Sequence, residues 1–429
     1  MSDLSAASSG LQAADQQLSV VAENLANVNT VGYKSQTTMF EQMFEQVVSG
    51  GAAPTATSGG TDPIQEPAGS AVGLAMTETN NSEGSVTQTG ISSNVALSGA
   101  GLFVVEPPGG GTAYTRAGDF TTDANGNLVD PNGARVMGWV PSVVQTGSQS
   151  ATNLTPLTIP LNATEPPQAS TTAVVSGNLD SSSATSTGSA ATVTLPVTLT
   201  DAQGNTIDTE LVMSNPTSLS GGGGVQWTVT LMPAGGSTAY NGSSTGAPLS
   251  ATLTFPSGGA PTFGAPPPTW TVPTTDGSPA VTFSLTNTAV SGLTSFASAS
   301  SALAAANGYT VGALQAYSVG SDGVITGTFS NGQTSPLGQI AVADFPNVNG
   351  LISTGPSLWG QSANSGTAMV GAAGTGGLGS IIAGSVEESN VNLANQFTDL
   401  ISAQENYQAN AKVLTVDQTN AQALIQAIQ

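Results

Sequence analysis

Three short stretches of the sequence carry residues whose types and spacing could do chemistry. Two adjacent carboxylates, Glu387 and Glu388, can serve as acid and base when they are buried at the right separation. The run from Asp123 to Asn127 resembles the start of a calcium-binding loop. Residues 374–379 match G-x-G-x-x-G, which holds a pyrophosphate when it opens a helix. Each stretch therefore suggests a reaction or a ligand that its surroundings must support.

The surroundings of all three stretches favour structural roles instead. The twelfth position counted from Asp123 is Ala134, where a calcium loop needs a glutamate, so we expect a hairpin turn there. No convincing helix follows Gly379, so we expect a flexible loop. The adjacent glutamates precede a predicted helix, whose dipole favours negative charge at that end, and Ser385 with Glu388 fits a capping box.

The composition excludes most catalytic and binding chemistry. The 429 residues include no Cys and no His, which removes thiol and imidazole catalysis and the commonest metal ligand. The chain has 26 acidic residues and a net charge of −22. Nucleic acids need clustered cations, and an anionic membrane surface would repel such a chain. We expect no enzyme activity, no cofactor, no metal, no nucleic-acid partner and no direct membrane insertion. The only four basic residues are Lys34, Arg116, Arg135 and Lys412.

The elements that could position a function lie at the two ends of the chain. Residues 3–29 and about 391–428 are predicted to form helices with apolar residues repeating every seven positions. Each helix could pack on a globular body, or the two could pair as a coiled coil with apolar surface left for neighbouring subunits. Their positions at opposite ends favour the pair. The predicted assembly interface consists of Leu4, Leu11, Leu18, Val21, Leu25, Leu393, Phe397, Leu400, Tyr407, Leu414 and Leu424.

The middle of the chain is rich in Gly, Ser, Thr and Val, with short alternating segments and frequent turn signals, which is typical of β structure. The predicted fold is therefore mainly β with a terminal α-helical coiled coil, in a nested multi-domain layout. The layout assigns 1–33 and 386–429 to the terminal helical domain, 34–70 and 364–385 to connecting loops, 71–140 and 311–363 to an inner β domain, and 141–310 to an inserted outer β domain.

The sequence shows no segment of the kind that crosses or targets a membrane. The longest apolar runs are far shorter than the ~20 residues that span a bilayer. The segment from Met1 to Leu18 lacks the basic flank and apolar region of a Sec-type signal peptide. We therefore expect either a cytoplasmic protein or export by another machine.

Three motifs resemble the bacterial flagellar rod and hook family, and they cover somewhat over half the chain. The run from Leu18 to Lys34 resembles the N-terminal signature of that family. Residues 102–105 and 113–139 resemble its inner β domain, and residues 389–393 with 404–410 resemble its C-terminal motif. The residues matched to the terminal motifs are Asn24, Asn27, Asn29, Gly32, Tyr33, Lys34, Asn406, Tyr407, Gln408 and Asn410.

Within this family, residues 326–334 and 336–341 resemble the hook subunit, and rod subunits are generally shorter. The resemblance implies a non-enzymatic subunit that polymerises into a curved, flexible tube, a universal joint that passes torque from rod to filament. It implies an extracellular protein exported without a cleaved signal peptide. The implied partners are further copies of the chain, the distal rod protein, the hook–filament junction protein, the hook-capping protein and the flagellar type III export apparatus.

Two alternatives stay open at this point. The first is a distal-rod or hook–filament junction subunit of the same family, which would form a stiff adaptor. The second, of a different class, is an extracellular adhesin-like β protein that binds carbohydrate.

Overall fold

The fold is built mainly from β-strands, with a long helix at each end of the chain, as the sequence predicts. The computed structural model describes residues 2–42, 45–49, 64–67, 72–146, 153–160, 162–184, 191–219, 223–236, 238–242, 249–257, 259–274, 277 and 279–428. None of the helices in these segments is long and apolar enough to cross a membrane.

Three α-helices are present in the described part of the chain: α1 Ser2–Ala26, α2 Pro141–Thr146 and α3 Leu393–Ile428. Short 3₁₀ turns occupy Ser181–Ser183 and Val348–Gly350. Helix α3 begins after Asn392, whose Oδ1 accepts a hydrogen bond from the backbone N–H of Asn395 at 3.2 Å. The predicted capping box at Ser385 is wrong, because that residue lies in a strand several residues before the helix.

The strands of the first third of the chain are β1 Gln36–Gln42, β2 Glu45–Ser49, β3 Ile64–Pro67, β4 Val72–Thr79, β5 Val86–Gln88, β6 Val95–Ser98, β7 Leu102–Glu106, β8 Ala113–Thr115, β9 Thr121–Thr122, β10 Leu128–Val129 and β11 Arg135–Trp139.

The strands of the middle of the chain are β12 Thr155–Pro156, β13 Thr164–Glu165, β14 Ala173–Asn178, β15 Thr192–Thr200, β16 Thr206–Ser218, β17 Gly224–Pro233, β18 Asn241–Gly242, β19 Ser250–Pro256, β20 Thr262–Phe263, β21 Thr269–Val272, β22 Val281–Ser284, β23 Gly292–Thr294 and β24 Leu303–Ala306.

The remaining strands are β25 Gly312–Val319, β26 Val324–Phe329, β27 Thr334–Asp344, β28 Ile352–Gly355, β29 Leu358–Gly360, β30 Met369–Ala372, β31 Ser380–Ala383 and β32 Ser385–Glu387. Strands β1, β30 and β31 fall within stretches that we expected to be connecting loops, and β32 lies mostly in the part that we assigned to the terminal helical domain. Each pairs with a partner distant in sequence: β1 with β4, β30 with β27, β31 with β6 and β32 with β5. Those partners supply the hydrogen bonds that short polar segments cannot provide alone.

The chain divides into two compact units. The first, here called the terminal unit, consists of residues 1–161, 317–327 and 335–429. The second, here called the outer unit, consists of residues 162–316 and 328–334. The predicted domain boundaries themselves stay predictions.

The core of the terminal unit forms around strand β7, which is buried along almost its whole length. Strands β11 and β8 flank it, and β29 and β28 continue the sheet beyond β8. On one face, the rings of Tyr114 and Phe345 meet edge to face with centroids 4.8 Å apart. On the other face, Phe103 and Phe120 do the same at 5.3 Å. Apolar residues on both faces explain why β7 is a continuous apolar run rather than an alternating one.

The core of the outer unit lies between a five-stranded antiparallel sheet, in the order β15-β16-β17-β19-β20, and two three-stranded sheets. The three-stranded sheets have the orders β23-β14-β24 and β18-β21-β22. Residues alternate between core and surface along strands such as β14, β21 and β22, as a one-sided sheet requires. The largest fully buried side chains of this core include Trp227, Trp270, Phe283, Leu211 and Leu199.

The stretch that resembles a calcium loop is a hairpin turn, which confirms the structural interpretation. Asp123 Oδ1 accepts hydrogen bonds from the N–H groups of Asn125 and Asn127, each at 2.8 Å. Gly126 adopts φ 82°, and the turn joins β9 to β10. The same turn recurs at Asp201, which binds the N–H of Asn205 at 2.8 Å. Among the described residues, no cluster of three or more carboxylates is arranged to hold a metal ion.

Truncation of a core side chain tests this packing. We expect Leu231→Ala, at a side chain with 0% exposure in β17, to lower the free energy of unfolding of the outer unit by about 2–5 kcal/mol, because a cavity replaces apolar contacts. Urea unfolding followed by the fluorescence of Trp227 and Trp270 measures the change. The control is Val174→Ala, whose side chain is 63% exposed and should change stability by less than ~0.5 kcal/mol. Equal losses in the two variants would contradict the assigned core.

Candidate assembly surface

Helices α1 and α3 pack against each other and run antiparallel. At one end of the pair, Asn24 Nδ2 donates a hydrogen bond to Gln396 Oε1 at 3.0 Å. At the other end, Gly10 faces Asn410 so closely that a Cβ at Gly10 would lie 2.8 Å from Asn410 Nδ2. The same number of residues separates the two contact points on each helix, and that spacing equals two heptads. The pair therefore keeps the seven-residue register that the sequence indicates.

The row of α1 that is buried is the row of small residues. Ala7, Ala14 and Val21 are each at most 5% exposed. The leucines of the predicted interface, Leu11, Leu18 and Leu25, are only half-buried, and the side chain of Leu4 lies outside the described residues. Small side chains at the contact allow the two helix backbones to approach closely, and Gly10 extends this row of close contacts.

On α3 the structure divides the predicted interface residues into two groups. Leu400 and Leu414 are half-buried on the side that faces α1, next to fully buried Ala403. The exposed residues are Leu393, Phe397 and Tyr407, while the side chain of Leu424 lies outside the described residues. Three further exposed apolar residues were not singled out from the sequence: Ile401, Val413 and Val416. Ile401 follows Phe397 by one helical turn, which is the signal that could have identified it.

Asn24 connects helix α1 to the strand that follows it and to helix α3. Its side chain is 1% exposed, and its Nδ2 donates to the carbonyl of Gln36 at 2.7 Å as well as to Gln396. Its Oδ1 accepts from the N–H of Gln36 at 2.9 Å and from the hydroxyl of Tyr33 at 3.2 Å. All the hydrogen-bonding capacity of this amide is used, so the family motif has a structural reason at this position.

The other N-terminal motif residues shape the turn after α1. Asn27 Nδ2 donates to the carbonyl of Glu23 at 2.9 Å, and Asn27 Oδ1 accepts from Thr30 Oγ1 at 3.1 Å. Gly32 has φ 68°, and a Cβ there would lie 2.5 Å from the backbone nitrogen of Ala117, so no other residue fits.

The remaining motif residues lie at the surface or on the helix pair. Asn29, Asn406 and Gln408 are exposed, and Asn410 is half-buried opposite Gly10. Within the described part of the isolated chain, no contact of these three exposed residues explains why they belong to the motif.

Glu387 joins the two chain ends to the β core. Its carboxylate is fully buried and binds Lys34 Nζ at 2.6 Å and Arg116 Nε at 2.5 Å. It also accepts from the backbone N–H of Gly84 at 2.9 Å, and its own carbonyl accepts from the N–H of Gly32 at 2.8 Å. We call Lys34, Arg116 and Glu387 the charge cluster. The interpretation of Glu387 as a helix-dipole partner is wrong, because the residue ends strand β32 before the helix begins.

Arg116 is held in the charge cluster by further bonds to the β core. Its NH1 donates to the carbonyl of Gly101 at 2.5 Å, and its NH2 donates to the carbonyl of Leu97 at 2.7 Å. Two of the chain's four basic residues therefore converge on one carboxylate. The scarcity of basic residues was a signal in the sequence that could have marked Lys34 and Arg116 as structurally important.

A second side chain ties the start of α3 to the N-terminal segment. Asn390 Oδ1 accepts from the N–H of Ser35 at 2.7 Å. Asn390 Nδ2 donates to the carbonyls of Asn80 at 2.8 Å and Ser82 at 3.0 Å. Asn390 lies in the C-terminal stretch that resembles the family, but it was not among the predicted site residues.

The environment of these groups moves their pKa values in ways that follow from burial and charge. Burial alone would raise the pKa of Glu387, but the positive charge of Arg116 and the hydrogen bonds from Lys34, Arg116 and Gly84 outweigh it, so the pKa is lowered. Burial also lowers the pKa of Lys34, against the opposing effect of Glu387. Burial, reinforced by the charge of Glu23, raises the pKa of Tyr33 to about 12.

The comparisons with known families match the same regions. Residues 4–34 match a family described as "Flagella basal body rod protein". Residues 96–174 match "Flagellar hook protein FlgE/F/G D1 domain", and residues 382–427 match "Flagellar basal body rod FlgEFG protein C-terminal". The charge cluster has one residue in each of the three matched regions.

Curated relatives match nearly the full length of the chain. A flagellar hook protein FlgE of Borreliella burgdorferi is 32% identical over 440 residues, which cover 97% of both chains. A flagellar hook protein FlgE of Escherichia coli is 32% identical over 428 residues, covering 96% of this chain and 97% of the relative. The chain belongs to the flagellar hook protein family. As a hook protein it is a non-enzymatic structural subunit of the flagellar hook, where it forms a helical homopolymer.

A solved structure agrees with this fold. The flagellar hook protein FlgE2 of Helicobacter pylori aligns with a TM-score of 0.50 at 17% identity, covering 69% of this chain and 98% of that one. Nothing in the comparisons supports the adhesin-like alternative.

The charge cluster of this hook protein predicts an acid-dependent stability. Because the folded pKa of Glu387 lies below its unfolded value of roughly 4.3, its contribution is present above that value and is lost as the pH falls through the folded pKa. We expect Glu387→Gln to cost roughly 3–5 kcal/mol at pH 7, since two buried cations lose their counter-charge. Urea unfolding of the soluble subunit between pH 7 and pH 3 measures both effects.

The control is Glu106→Gln, which breaks the exposed 2.8 Å ion pair with Arg135. That change should cost at most about 1 kcal/mol, because exposed ion pairs contribute little. The assignment fails if Glu387→Gln retains the wild-type loss of stability on acidification.

Proposed function

We propose that hook subunits polymerise through the exposed apolar side of α3 together with the half-buried leucines of α1. The observation that carries this proposal is the exposure of Phe397, Ile401, Val413 and Val416, each about half exposed although they lie on one long helix. Isolated soluble proteins rarely leave so many large apolar side chains of one element in water. In a homopolymer, a neighbouring helix pair would cover them.

This contact would be of the head-to-tail type. The exposed residues of α3 do not repeat on a symmetric partner surface, since α1 presents leucines at half-buried positions instead. A contact between two different surfaces propagates without closing, and with a constant rotation it yields an open helical tube. The terminal helices would then form the inner wall of that tube.

We further propose that the outer unit provides the flexibility of the hook. Residues 162–316 and 328–334 contain no basic residue, so neighbouring outer units cannot form salt bridges with one another through them. Contacts made by Ser, Thr, Gly and apolar side chains are weak and undirected, and they can shift during bending without breaking a fixed charge pair. A curved, flexible tube that transmits torque needs such surfaces outside a stiff inner wall.

The individual partners and the location that we propose are based on the membership of the chain in the hook protein family. We propose that the chain contacts the distal rod protein at one end of the polymer and the hook–filament junction protein at the other. We also propose the hook-capping protein and the flagellar type III export apparatus as transient partners, and an extracellular location reached without a cleaved signal peptide. The match of residues 4–34 to a rod-protein family supports a shared terminal contact with the rod.

A charge on the exposed side of α3 tests the polymerisation surface. We expect Phe397→Asp to abolish polymer growth, because each subunit contact would have to bury an unpaired carboxylate. Since its side chain is already 49% exposed in the subunit, thermal unfolding should change little. Sedimentation and electron microscopy of hooks measure growth. Gln418→Asp, an exposed polar position of the same helix that lies outside the arc of these four apolar residues, is the control and should assemble. Hooks of normal length from Phe397→Asp would refute the proposal.

Substitution of half-buried leucines tests whether the pairing of α1 with α3 is needed for polymer growth. We expect Leu11→Asp and Leu400→Asp to prevent polymer growth by separating α1 from α3, while the β units remain folded. Helical circular dichroism should fall and the tryptophan fluorescence of the outer-unit core should not change. Assembly of these variants to normal length would count against the helix pair as the polymerising element.

A deletion tests the role of the outer unit. Ala173 and Ala306 are directly paired in the β14–β24 ladder, so residues 174–305 can be replaced by a two-residue Asn-Gly turn. We expect the shortened chain to polymerise but to give hooks of abnormal curvature, measured by electron microscopy. Curvature and flexibility identical to those of the full-length hook would remove the outer unit from the bending mechanism.

A further inference from the structure

The most exposed large apolar side chains of the described residues lie together on the outer unit. Leu303 is 67% exposed, Phe296 66% and Val174 63%, more than any large apolar residue of α3 whose side chain is described. All three belong to the small sheet β23-β14-β24 or its direct continuation, and not to the helix pair. An exposed cluster of this kind marks a binding surface.

The register of the sheet places these residues on one face. Val174 pairs with Ala305, and the next outward residue of β14, Ser176, pairs with Leu303 on one side and Gly292 on the other. The inward residues of the same strands, including Val175, Leu293 and Ala304, are buried in the core. Alternation therefore separates a core face from an outward face, as in any one-sided sheet.

Phe296 extends this outward face past the end of β23. Its backbone N–H donates to Asn178 Oδ1 at 2.9 Å, and its carbonyl accepts from the N–H of Ser181 at 3.0 Å. The backbone that carries the ring is thus held beside β14, although the ring itself is exposed. A phenylalanine fixed in position with its ring in solvent is suited to insertion into a partner surface. We call Val174, Ser176, Phe296, Leu303 and Ala305 the outward sheet face.

The charge distribution selects the kind of partner. The outer unit has six acidic residues and no basic one, so it repels polyanions and anionic membranes. Of the acidic residues that the structure describes, none is among the five residues of the outward sheet face; Asp180 lies at its edge, next to Ser181, whose N–H binds the carbonyl of Phe296. Two copies of such a unit can approach closely only through an uncharged surface, and this face is one. The acidic residues are Glu165, Asp180, Asp201, Asp208, Glu210 and Asp276.

We infer that the outward sheet face packs against the outer unit of a neighbouring copy of this chain within the hook polymer. The inference rests on the proposed function, since it assigns to one sheet the weak contact between outer units. Its small residues Ser176 and Ala305, together with Gly292 beside Ser176 on β23, leave room between the projecting side chains into which a neighbour can fit. The contact is apolar and carries no ion pair, so it tolerates sliding.

Cysteine labelling tests this contact, because the chain has no Cys of its own. The probe is a maleimide, applied to Ser176→Cys as soluble full-length subunit and as purified polymer of the same chain. Labelling in the polymer should be about tenfold slower or more, since packing excludes the reagent. The matched control is Ser250→Cys, an exposed serine of β19 in the other sheet, which should react at similar rates in both states.

A second variant confirms that apolar contact causes the protection. Phe296→Ser with Leu303→Ser, added to Ser176→Cys, should restore labelling in the polymer to within about threefold of the subunit rate, with the thermal unfolding of the subunit unchanged. Labelling of Ser176→Cys at equal rates in subunit and polymer overturns the inference, and so does protection no greater than that of Ser250→Cys. Protection found only in whole flagella, and absent from polymer of this chain alone, assigns the face to a different protein and also overturns it. Whether the polymer sediments at all is measured separately and tests only the helix surface.

Discussion

The buried carboxylate of Glu387 is the contact on which the arrangement of the chain ends depends. It binds a lysine from the N-terminal segment and an arginine from the β core, while it belongs to the strand that leads into the C-terminal helix. Removing this carboxylate would leave two cations without their shared partner in a site with almost no access to water, which costs far more than an exposed pair contributes. The cluster therefore specifies one arrangement of three segments, of which the one that carries Glu387 is 353 residues from Lys34 and 271 from Arg116 in sequence.

The scarcity of basic residues gives this cluster its importance. Four cations are available to the whole chain, and two of them are placed in one buried site, where water does not screen the interaction. A surface with almost no cations makes few salt bridges, so contacts between subunits must rest on shape and apolar area. This division suits the flexibility that we propose for the hook: the charges hold each subunit together, and the proposed contacts between outer units carry no charge pair that bending would break.

Helices and strands could be predicted from the sequence because apolar residues recur at a different spacing in each kind of element. The heptads of Leu4 to Leu25 and Leu393 to Leu414 predicted two end helices, and the alternating segments of the middle predicted β structure. The turn at Asp123 was also predictable, because a carboxylate followed by Asn-Gly has few other local conformations. These features depend on neighbours in sequence, which is why one sequence suffices to find them.

The structural features that could not be predicted from the sequence depend on contacts between residues that are distant in the chain. Glu387 was assigned to a helix terminus because it lies a few residues before one, whereas its true partners are Lys34 and Arg116. Strands β1, β30 and β31 were expected to be loops and β32 to lie mostly in the terminal helical domain, because each becomes a strand only through pairing with a remote segment. Which heptad row faces the other helix was also undetermined, since both rows are apolar.

The structure resolves that last choice in a way that explains how the same helices can serve two contacts. The row of small residues, Ala7, Ala14 and Val21, faces α3, where Ala403 is also buried. The two helices are therefore in contact through their smallest side chains. Close approach of two backbones compensates for the small area of each side chain through many short-range contacts. The larger residues Phe397, Ile401, Val413 and Val416 are then left outside. If the large residues had formed the contact between α1 and α3, each subunit would have buried most of its apolar surface within itself. Little apolar surface would then remain to bind the next subunit. Small residues inside and large ones outside keep the two helices paired and leave apolar surface free for the contact that we propose between subunits.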